Sequence, residues 1–306
     1  MTTENSTNQE MAEGLIKSLK TDASIEAIAR LNNLAVKLGE GGENDIAKRL
    51  LEEALRIYEK RYGEDAGIAT MLCNLGHRYL DQNDCVTARS FYERALAVHQ
   101  KIGSPIESKA SALVALGLAW QREGDDRQFD TSAAMSRSIN ARTYFQRALT
   151  IYQEKLGAEH LETAACLMEL ARTYRLENIS TGFWVPSSPD ETELPLRYLE
   201  RVLEIRETQL GHDHPDTINC LFAVTFGSSN AGHKSRSRHY FESLLTLFEA
   251  KAADELNPLT GNRFLYLVVN VEPYLSQDEN EAAHQRLIAL FPRVFSESGG
   301  AELTEV

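Results

Sequence analysis

Apolar residues recur along this chain with the spacing of an amphipathic helix. One motif has two leucines three residues apart, then glycine or alanine, then an aromatic residue or leucine three positions later. Its four clear copies are Leu31-Leu34-Ala35-Leu38, Leu72-Leu75-Gly76-Tyr79, Leu113-Leu116-Gly117-Trp120 and Leu167-Leu170-Ala171-Tyr174, with a weaker fifth at Leu221-Val224-Thr225-Ser228. These offsets place all four side chains on one helical face, so the pattern predicts five equivalent helices.

A second motif follows each of these segments. It has a small residue, a large residue four positions later and another small residue three positions after that. The copies are Ala47-Leu51-Ala54, Ala88-Tyr92-Ala95, Ala141-Phe145-Ala148 and, more loosely, Pro195-Leu199-Val202 and Ser237-Phe241-Leu244. Similar endings such as ALRIYEKRYG from Ala54 and ALTIYQEKLG from Ala148 continue this second helix to a glycine.

The distance between the two motifs keeps one register. It is 12 residues from Ala35 to Ala47, and also in the second and fifth copies. It is 24 residues from Gly117 to Ala141 and from Ala171 to Pro195. The chain is therefore expected to consist of repeated helix pairs, of which the third and fourth carry 12-residue inserts between their helices.

The two motifs together resemble the tetratricopeptide repeat, whose signature is W-x-x-L-G-x-x-Y followed by A-x-x-x-F and a small residue. The period near 42, the RALxIYxxxLG-like endings and His214-Pro215-Asp216-Thr217 resemble in particular the repeats of kinesin light chains. The resemblance implies an all-α, right-handed superhelix of stacked helix pairs with a concave groove lined by the first helix of each pair.

The predicted organisation has three parts. Residues 1–22 form a flexible N-terminal segment, with a short helix near Met11 to Leu19, and residues 297–306 form an acidic tail. Residues 23–296 form one solenoid, with repeats at about 24–63, 65–103, 106–157, 159–211 and 213–254 and a divergent C-terminal cap at 255–296. The inserts fall at about 124–135 and 178–189.

Charge and composition narrow the function. The net charge of −13 disfavours nucleic-acid binding and attachment to an anionic membrane, which both need a basic surface. No apolar run is long enough to span a bilayer, and the first ten residues do not have the pattern of a secretory signal. Four cysteines without a CxxC pair favour reduced, buried thiols and hence an intracellular, cytoplasmic protein.

The sequence contains none of the common motifs for phosphate binding or hydrolysis. His212-Asp213-His214 has metal-binding residue types, but it falls in the turn between two repeats and has no distant partner ligands, so we expect no metal there. Neither a cofactor nor a catalytic residue is predicted. A non-enzymatic adaptor or scaffold that binds another protein is the leading hypothesis.

The groove supplies the candidate binding residues. In kinesin light chain-like repeats, the asparagine just before the second leucine grips the ligand backbone, and the resemblance carries this role to Asn33 and Asn74. Other groove-facing positions are positively charged or apolar, and they are His77, Arg172, Arg175, Met168, Phe222 and Phe226. This mixture predicts an acidic peptide with an apolar anchor as the ligand, although the same residues also suit an inner face that only contacts solvent.

The second insert carries Phe183 and Trp184 in a turn-rich segment. Exposed aromatic residues often anchor a partner, and local packing against a neighbouring loop is the alternative. Two other functions stay open: a regulator whose superhelix tightens on a peptide, and an enzyme with a pocket under the two inserts. The sequence names neither the partner nor the oligomeric state.

Overall fold

The computed structural model describes residues 2–19, 24–123, 131–179 and 189–250, and also 282–283, 285–286 and 289. Their helices are α1 (Thr2–Leu19), α2 (Ile25–Glu40), α3 (Asn44–Tyr62), α4 (Ala66–Asp81), α5 (Cys85–Lys101), α6 (Ile106–Arg122), α7 (Thr131–Lys155), α8 (Leu161–Ile179), α9 (Pro189–Leu210), α10 (Pro215–Asn230) and α11 (Lys234–Glu249). No strand occurs in these ranges. The predicted all-α class is confirmed.

The five predicted repeats correspond to the five helix pairs from α2/α3 to α10/α11. Glycine ends the second helix of the first four pairs, at Gly63, Gly103, Gly157 and Gly211, with φ between 65° and 97°. A residue with a Cβ rarely adopts this left-handed backbone, whereas glycine does so at no steric cost. These terminal glycines therefore stop the second helices of the first four pairs and start the turn to the next pair.

Within a pair, a small residue on the first helix receives a ring from the second. A Cβ at Gly76 would lie 2.5 Å from Tyr92 Cε1, and a Cβ at Gly117 would lie 2.5 Å from Phe145 Cε1. Both rings are fully buried. The constant register between the two motifs is explained by this contact, because a shift of one residue would place a side chain where the ring lies.

The N-terminal segment differs from the flexible segment expected over 1–22. Thr2–Leu19 is one helix, twice as long as the helix expected near Met11 to Leu19. Ala12 and Leu19 are buried, and Leu15 and Ile16 pack against the core of the first repeat. These positions have helical spacing, so α1 covers apolar surface of the first helix pair.

The inserts lengthen the second helices. In the third repeat α7 begins at Thr131, and in the fourth α9 begins at Pro189, six residues before the expected Pro195, which lies inside the helix. Ser138 near the start of α7 is buried and donates a hydrogen bond to the carbonyl of Thr173 on α8, at 3.3 Å. Residues 124–130 and 180–188 lie outside the described residues, as do the tail 297–306 and most of the predicted cap 255–296.

The chain divides into two compact units. The first unit contains α1 to α7 and the end of α8 from Thr173, and the second contains α8 up to Arg172 together with α9, α10 and α11. The sequence predicted one solenoid over 23–296, and this stays a prediction.

Three equivalent cation–π contacts link successive repeats in the first unit. The cation lies on a second helix, directly after the first small residue of its motif. The ring lies on the first helix of the next pair, at the last position of its motif. The pairs are Lys48 over Tyr79, Arg89 over Trp120 and Arg142 over Tyr174, with 4.5, 4.0 and 3.7 Å to the ring centroids. This contact was not predicted from the sequence, although the two residue types recur 31 or 32 positions apart.

The Arg89 contact offers a test of this link. Arg89 also forms a bidentate ion pair with Glu123, and its side chain is only 13% exposed. Replacing Arg89 by alanine is expected to lower the free energy of unfolding of the first unit by about 2 kcal/mol, because it removes the cation–π contact and two charge-assisted hydrogen bonds. Urea denaturation of the wild type and the variant measures this loss.

Arg94 provides the matched control on the same helix. It pairs with Glu59 at 2.7 Å, but its side chain is 53% exposed. Exposed ion pairs contribute about 0–1 kcal/mol, so Arg94→Ala should cost clearly less than Arg89→Ala. Equal losses in the two variants would contradict a special role for the Arg89 link.

Candidate functional site

The predicted binding residues of the first unit lie on its first helices, α2 and α4. Asn74 on α4 donates a hydrogen bond from Nδ2 to Oδ1 of Asn32 on α2, at 2.8 Å. Asn32 in turn donates from its Nδ2 to Oδ1 of Asn33, at 3.5 Å. We call these three residues the amide ladder. Asn33 is exposed and Asn74 is half-buried, so the ladder runs from between the helices to the surface.

Sequence reasoning missed Asn32. It directly precedes Asn33 in the sequence, and this pair of adjacent asparagines was the available signal. Its side chain aligns the two predicted residues with each other across α2 and α4. A primary amide both donates and accepts hydrogen bonds, and so do the N–H and C=O groups of an extended peptide. The ladder is therefore chemically suited to hold a peptide backbone.

His77 lies one turn beyond Asn74 on α4. Its ring contacts the buried ring of Tyr92 edge to face, with 5.4 Å between the centroids. His77 keeps an exposed surface, but the groups packed around it partly desolvate the ring and lower its pKa, and the positive charge of the adjacent Arg78 lowers it further. The imidazole is therefore neutral at pH 7, and it offers a hydrogen-bonding edge rather than the positive charge expected from the sequence.

Arg172 in the second unit pairs with a neighbour on its own helix. Its Nη1 lies 2.7 Å from Oε1 of Glu169, which occupies the position equivalent to Asn33 and Asn74. Burial raises the pKa of Glu169, and the charges of Arg172 and Arg206 counteract this effect. The positive charge of Arg172 thus balances the negative charge of a carboxylate on the same helix. Arg175 also lies in α8, but its side chain is outside the described residues.

The apolar candidates in the second unit are largely internal. Met168 and Phe222 are 6% and 5% exposed, and the ring of Phe222 lies 6.4 Å from that of Phe248 on α11. Phe226 is half-buried. Met168 and Phe222 therefore contribute mainly to the core of the unit, and Phe226 keeps more surface. Phe183 and Trp184 lie outside the described residues.

The histidines near the turn before α10 have structural partners. Nδ1 of His214 accepts the backbone N–H of Asp216, and Nδ1 of His212 lies 3.2 Å from Oε1 of Glu207. Among the residues that the structure describes, no group of three or more histidine, cysteine, aspartate or glutamate side chains is placed to hold a metal ion.

The four cysteines are free thiols, of which Cys85, Cys166 and Cys220 are buried. Burial raises the pKa of Cys73 to about 11 and the pKa values of Cys166 and Cys220 to about 12, so these three thiols are protonated at neutral pH. A cytoplasmic location stays a prediction. In the described part of the chain, every helix is too short or too polar to cross a membrane.

Comparison with known proteins agrees with this architecture. One tetratricopeptide repeat model matches residues 26–101 and 131–179, and a second matches residues 196–216. No curated protein matches the sequence.

Several solved structures have a similar fold. One is a structure from Podosopora anserina that is described as nearly identical TPR-like repeats of a kinesin light chain. It has a TM-score of 0.55 and 19% identity, over 72% of this chain and 94% of that chain. BtubC (BKLC) from P. vanneervenii has a TM-score of 0.57 and 15% identity, over 87% and 89%. A Rap protein complexed with Competence and Sporulation Factor has a TM-score of 0.51 and 12% identity, over 94% and 75%.

Successive helix pairs define a helical-repeat protein. Two of the pairs are closed by a ring that packs on a glycine, and side chains such as Arg89 link one pair to the next. The repeat motifs, the family models and the structural neighbours agree on its type. The chain contains tetratricopeptide repeats, which the family models match at residues 26–101, 131–179 and 196–216, and these repeats are similar to those of kinesin light chains.

Proposed function

We propose that this protein is a non-enzymatic scaffold that binds an extended segment of a partner protein along the first helices of its first unit. The fold supports a role in protein interaction in general, because stacked helix pairs present a long, preformed surface. The amide ladder carries the specific proposal, since it connects the two residues that the family resemblance assigns to ligand binding.

The ladder accounts for how a peptide would be held. An extended strand offers one N–H and one C=O for each residue, and a single asparagine side chain can pair with both. Asn33 and Asn74 come from adjacent first helices, so a strand that crosses α2 and α4 would meet one amide on each. Binding through backbone groups fixes the direction and register of the ligand and leaves its side chains free to vary.

The charge of the residues at the amide ladder indicates whether the site favours a charged ligand. His77 is neutral at pH 7 and the ladder itself carries no charge. Binding at the first unit should therefore change little with ionic strength, because salt screens mainly interactions between charges. The acidic ligand predicted from His77, Arg172 and Arg175 stays a prediction, and it would require a contribution from the arginines of α8.

A peptide library tests the proposal. Random-sequence dodecapeptides are selected on the full chain, and the affinity of an enriched peptide is then measured for the Asn33→Ala/Asn74→Ala double variant. Each lost hydrogen bond contributes about 0.5–1.5 kcal/mol, so the double variant should bind about 5- to 150-fold more weakly.

Gln153→Ala is the matched control, because Gln153 carries the same chemical group at an exposed position of the second helix α7. This variant should bind the selected peptides as tightly as the wild type. If the double variant and Gln153→Ala both keep full affinity, the peptides bind elsewhere and the ladder is not the binding site.

A further inference from the structure

The first helices of four repeats are capped at one equivalent position. Seven residues before the first leucine of each motif lie Ser24, Asp65, His160 and His214. In all four, the side chain accepts a backbone N–H from the first turn of its helix. The donors are Ala27, Gly67, Glu162 and Asp216, at 3.3, 2.8, 3.1 and 3.1 Å. A serine and an aspartate do this in the first unit, and two histidines do it in the second.

A histidine can act as this cap only when it is neutral. The backbone N–H points at Nδ1, so Nδ1 must carry a lone pair and the ring proton must lie on Nε2. The imidazolium form has a proton on both nitrogens and cannot accept the bond. It would also place a positive charge at the positive end of the helix dipole. Serine and aspartate do not change charge between pH 5 and 8, whereas histidine does.

Charged groups around His214 give its protonated ring another partner. Oδ2 of Asp216 lies 3.9 Å from Nδ1, on the same first turn. From α9, Arg206 donates to the carbonyl of Asp216 at 3.0 Å, and Glu207 pairs with His212. Asp213 precedes the histidine in the turn. A protonated His214 can therefore leave the backbone N–H and form an ion pair with the Asp216 carboxylate.

The surroundings of His160 are similar. Glu162 lies in the first turn of its own helix, and Glu159 precedes it. From α9, Arg201 pairs with the carboxylate of Glu159, and Gln209 donates to the Glu159 carbonyl at 3.5 Å. The carboxylate of Glu162 is thus the acidic group on the capped helix itself, as Asp216 is for His214.

We propose that His160 and His214 make the second unit sensitive to pH by releasing the first turns of α8 and α10 when they are protonated. The direction follows from linkage: the capped form binds fewer protons than the open form, so its stability falls as the pH falls. The starts of α2 and α4 have a serine and an aspartate at this position instead of a histidine, so we expect their caps to persist over the same range. Both affected helices are first helices, on which the family resemblance places the binding groove.

Amide hydrogen exchange on the full chain tests this proposal. Protection factors are measured by NMR at pH 7.5 and pH 5.5 and corrected for the intrinsic exchange rate at each pH. The amides to follow are Ala164 and Ile218, which donate to the carbonyls of His160 and His214, and Ile28 and Ala69, which occupy the same place in α2 and α4. A capping bond corresponds to about a 2- to 30-fold change in opening. On going from pH 7.5 to pH 5.5, the protection factors of Ala164 and Ile218 should decrease by about 2- to 30-fold, and those of Ile28 and Ala69 should stay unchanged.

Variants assign the effect to the two rings. The His160→Ser/His214→Asp double variant installs the caps of the first two repeats, so its helices should stay protected at both pH values. His212→Gln removes a neighbouring histidine that does not cap a helix, and it should keep the pH dependence of the wild type. The proposal is overturned if Ala164 and Ile218 keep their protection at pH 5.5, if the double variant loses as much as the wild type, or if His212→Gln abolishes the effect.

Discussion

Replacement of Phe145 by alanine is expected to lower the free energy of unfolding of the first unit by about 3–5 kcal/mol. The ring is fully buried on α7 and lies against Gly117, which has no side chain to fill the space. The cavity would also remove packing contacts between the two helices of the third repeat. Urea denaturation followed by circular dichroism measures the loss, and hydrogen exchange should place it in α6 and α7.

Two further variants serve as a surface control and as a second test of this prediction. Gln146 is the next residue on α7 and is exposed, so Gln146→Ala should change the free energy by no more than about 0.5 kcal/mol. Phe241 is the fully buried equivalent in the second unit, and Phe241→Ala should destabilise that unit similarly. A loss below about 1 kcal/mol for Phe145→Ala would show that the ring is not the centre of its repeat.

Replacement of Gly76 by valine is the second large effect. Even a single Cβ at this position would lie 2.5 Å from Tyr92 Cε1, and the ring is fully buried, so it cannot move into solvent. Overpacking of this kind costs about 1–3 kcal/mol, and valine adds two methyl groups beyond the Cβ, which favours the upper end. The better helix propensity of valine offsets only a few tenths of a kcal/mol. Thermal and urea unfolding of the purified variant measure the net loss.

Gly14 is the matched control for this substitution. It also lies inside a helix, α1, but a Cβ there would meet no atom within 4 Å. Gly14→Ala should therefore be neutral or stabilise the helix by up to about 1 kcal/mol. If Gly76→Val were as well tolerated as Gly14→Ala, the close approach of Gly76 and Tyr92 would be contradicted.

The repeat architecture could be predicted from the sequence because its main determinants are local. The spacing of leucines defines each first helix, Gly76 and Gly117 identify the positions that receive Tyr92 and Phe145, and glycines such as Gly63 identify the ends of second helices. The length of α1 could not be predicted in this way. Its polar start has no apolar pattern, and its apolar residues from Ala12 to Leu19 fill only two turns.

The candidate site was predictable in part. Helical spacing placed Asn33 and Asn74 on neighbouring first helices, but their connection depends on Asn32, and only the packing of α2 on α4 reveals it. The lowered pKa of His77 depends on the groups that desolvate its ring and on Arg78, and the burial of Phe222 depends on its contact with Phe248. These properties are set by neighbours in space, which the spacing along one helix does not specify.

The central claim is that the amide ladder of the first unit holds the backbone of an extended peptide. NMR of the side-chain amides tests it most directly, with the wild-type chain titrated by a peptide selected from the dodecapeptide library. The claim predicts that the Nδ2 resonances of Asn33 and Asn74 shift and saturate together at one peptide per chain, while those of the outer glutamines Gln100, Gln146 and Gln153 stay in place. Saturation of binding without any shift of Asn33 and Asn74 would contradict it.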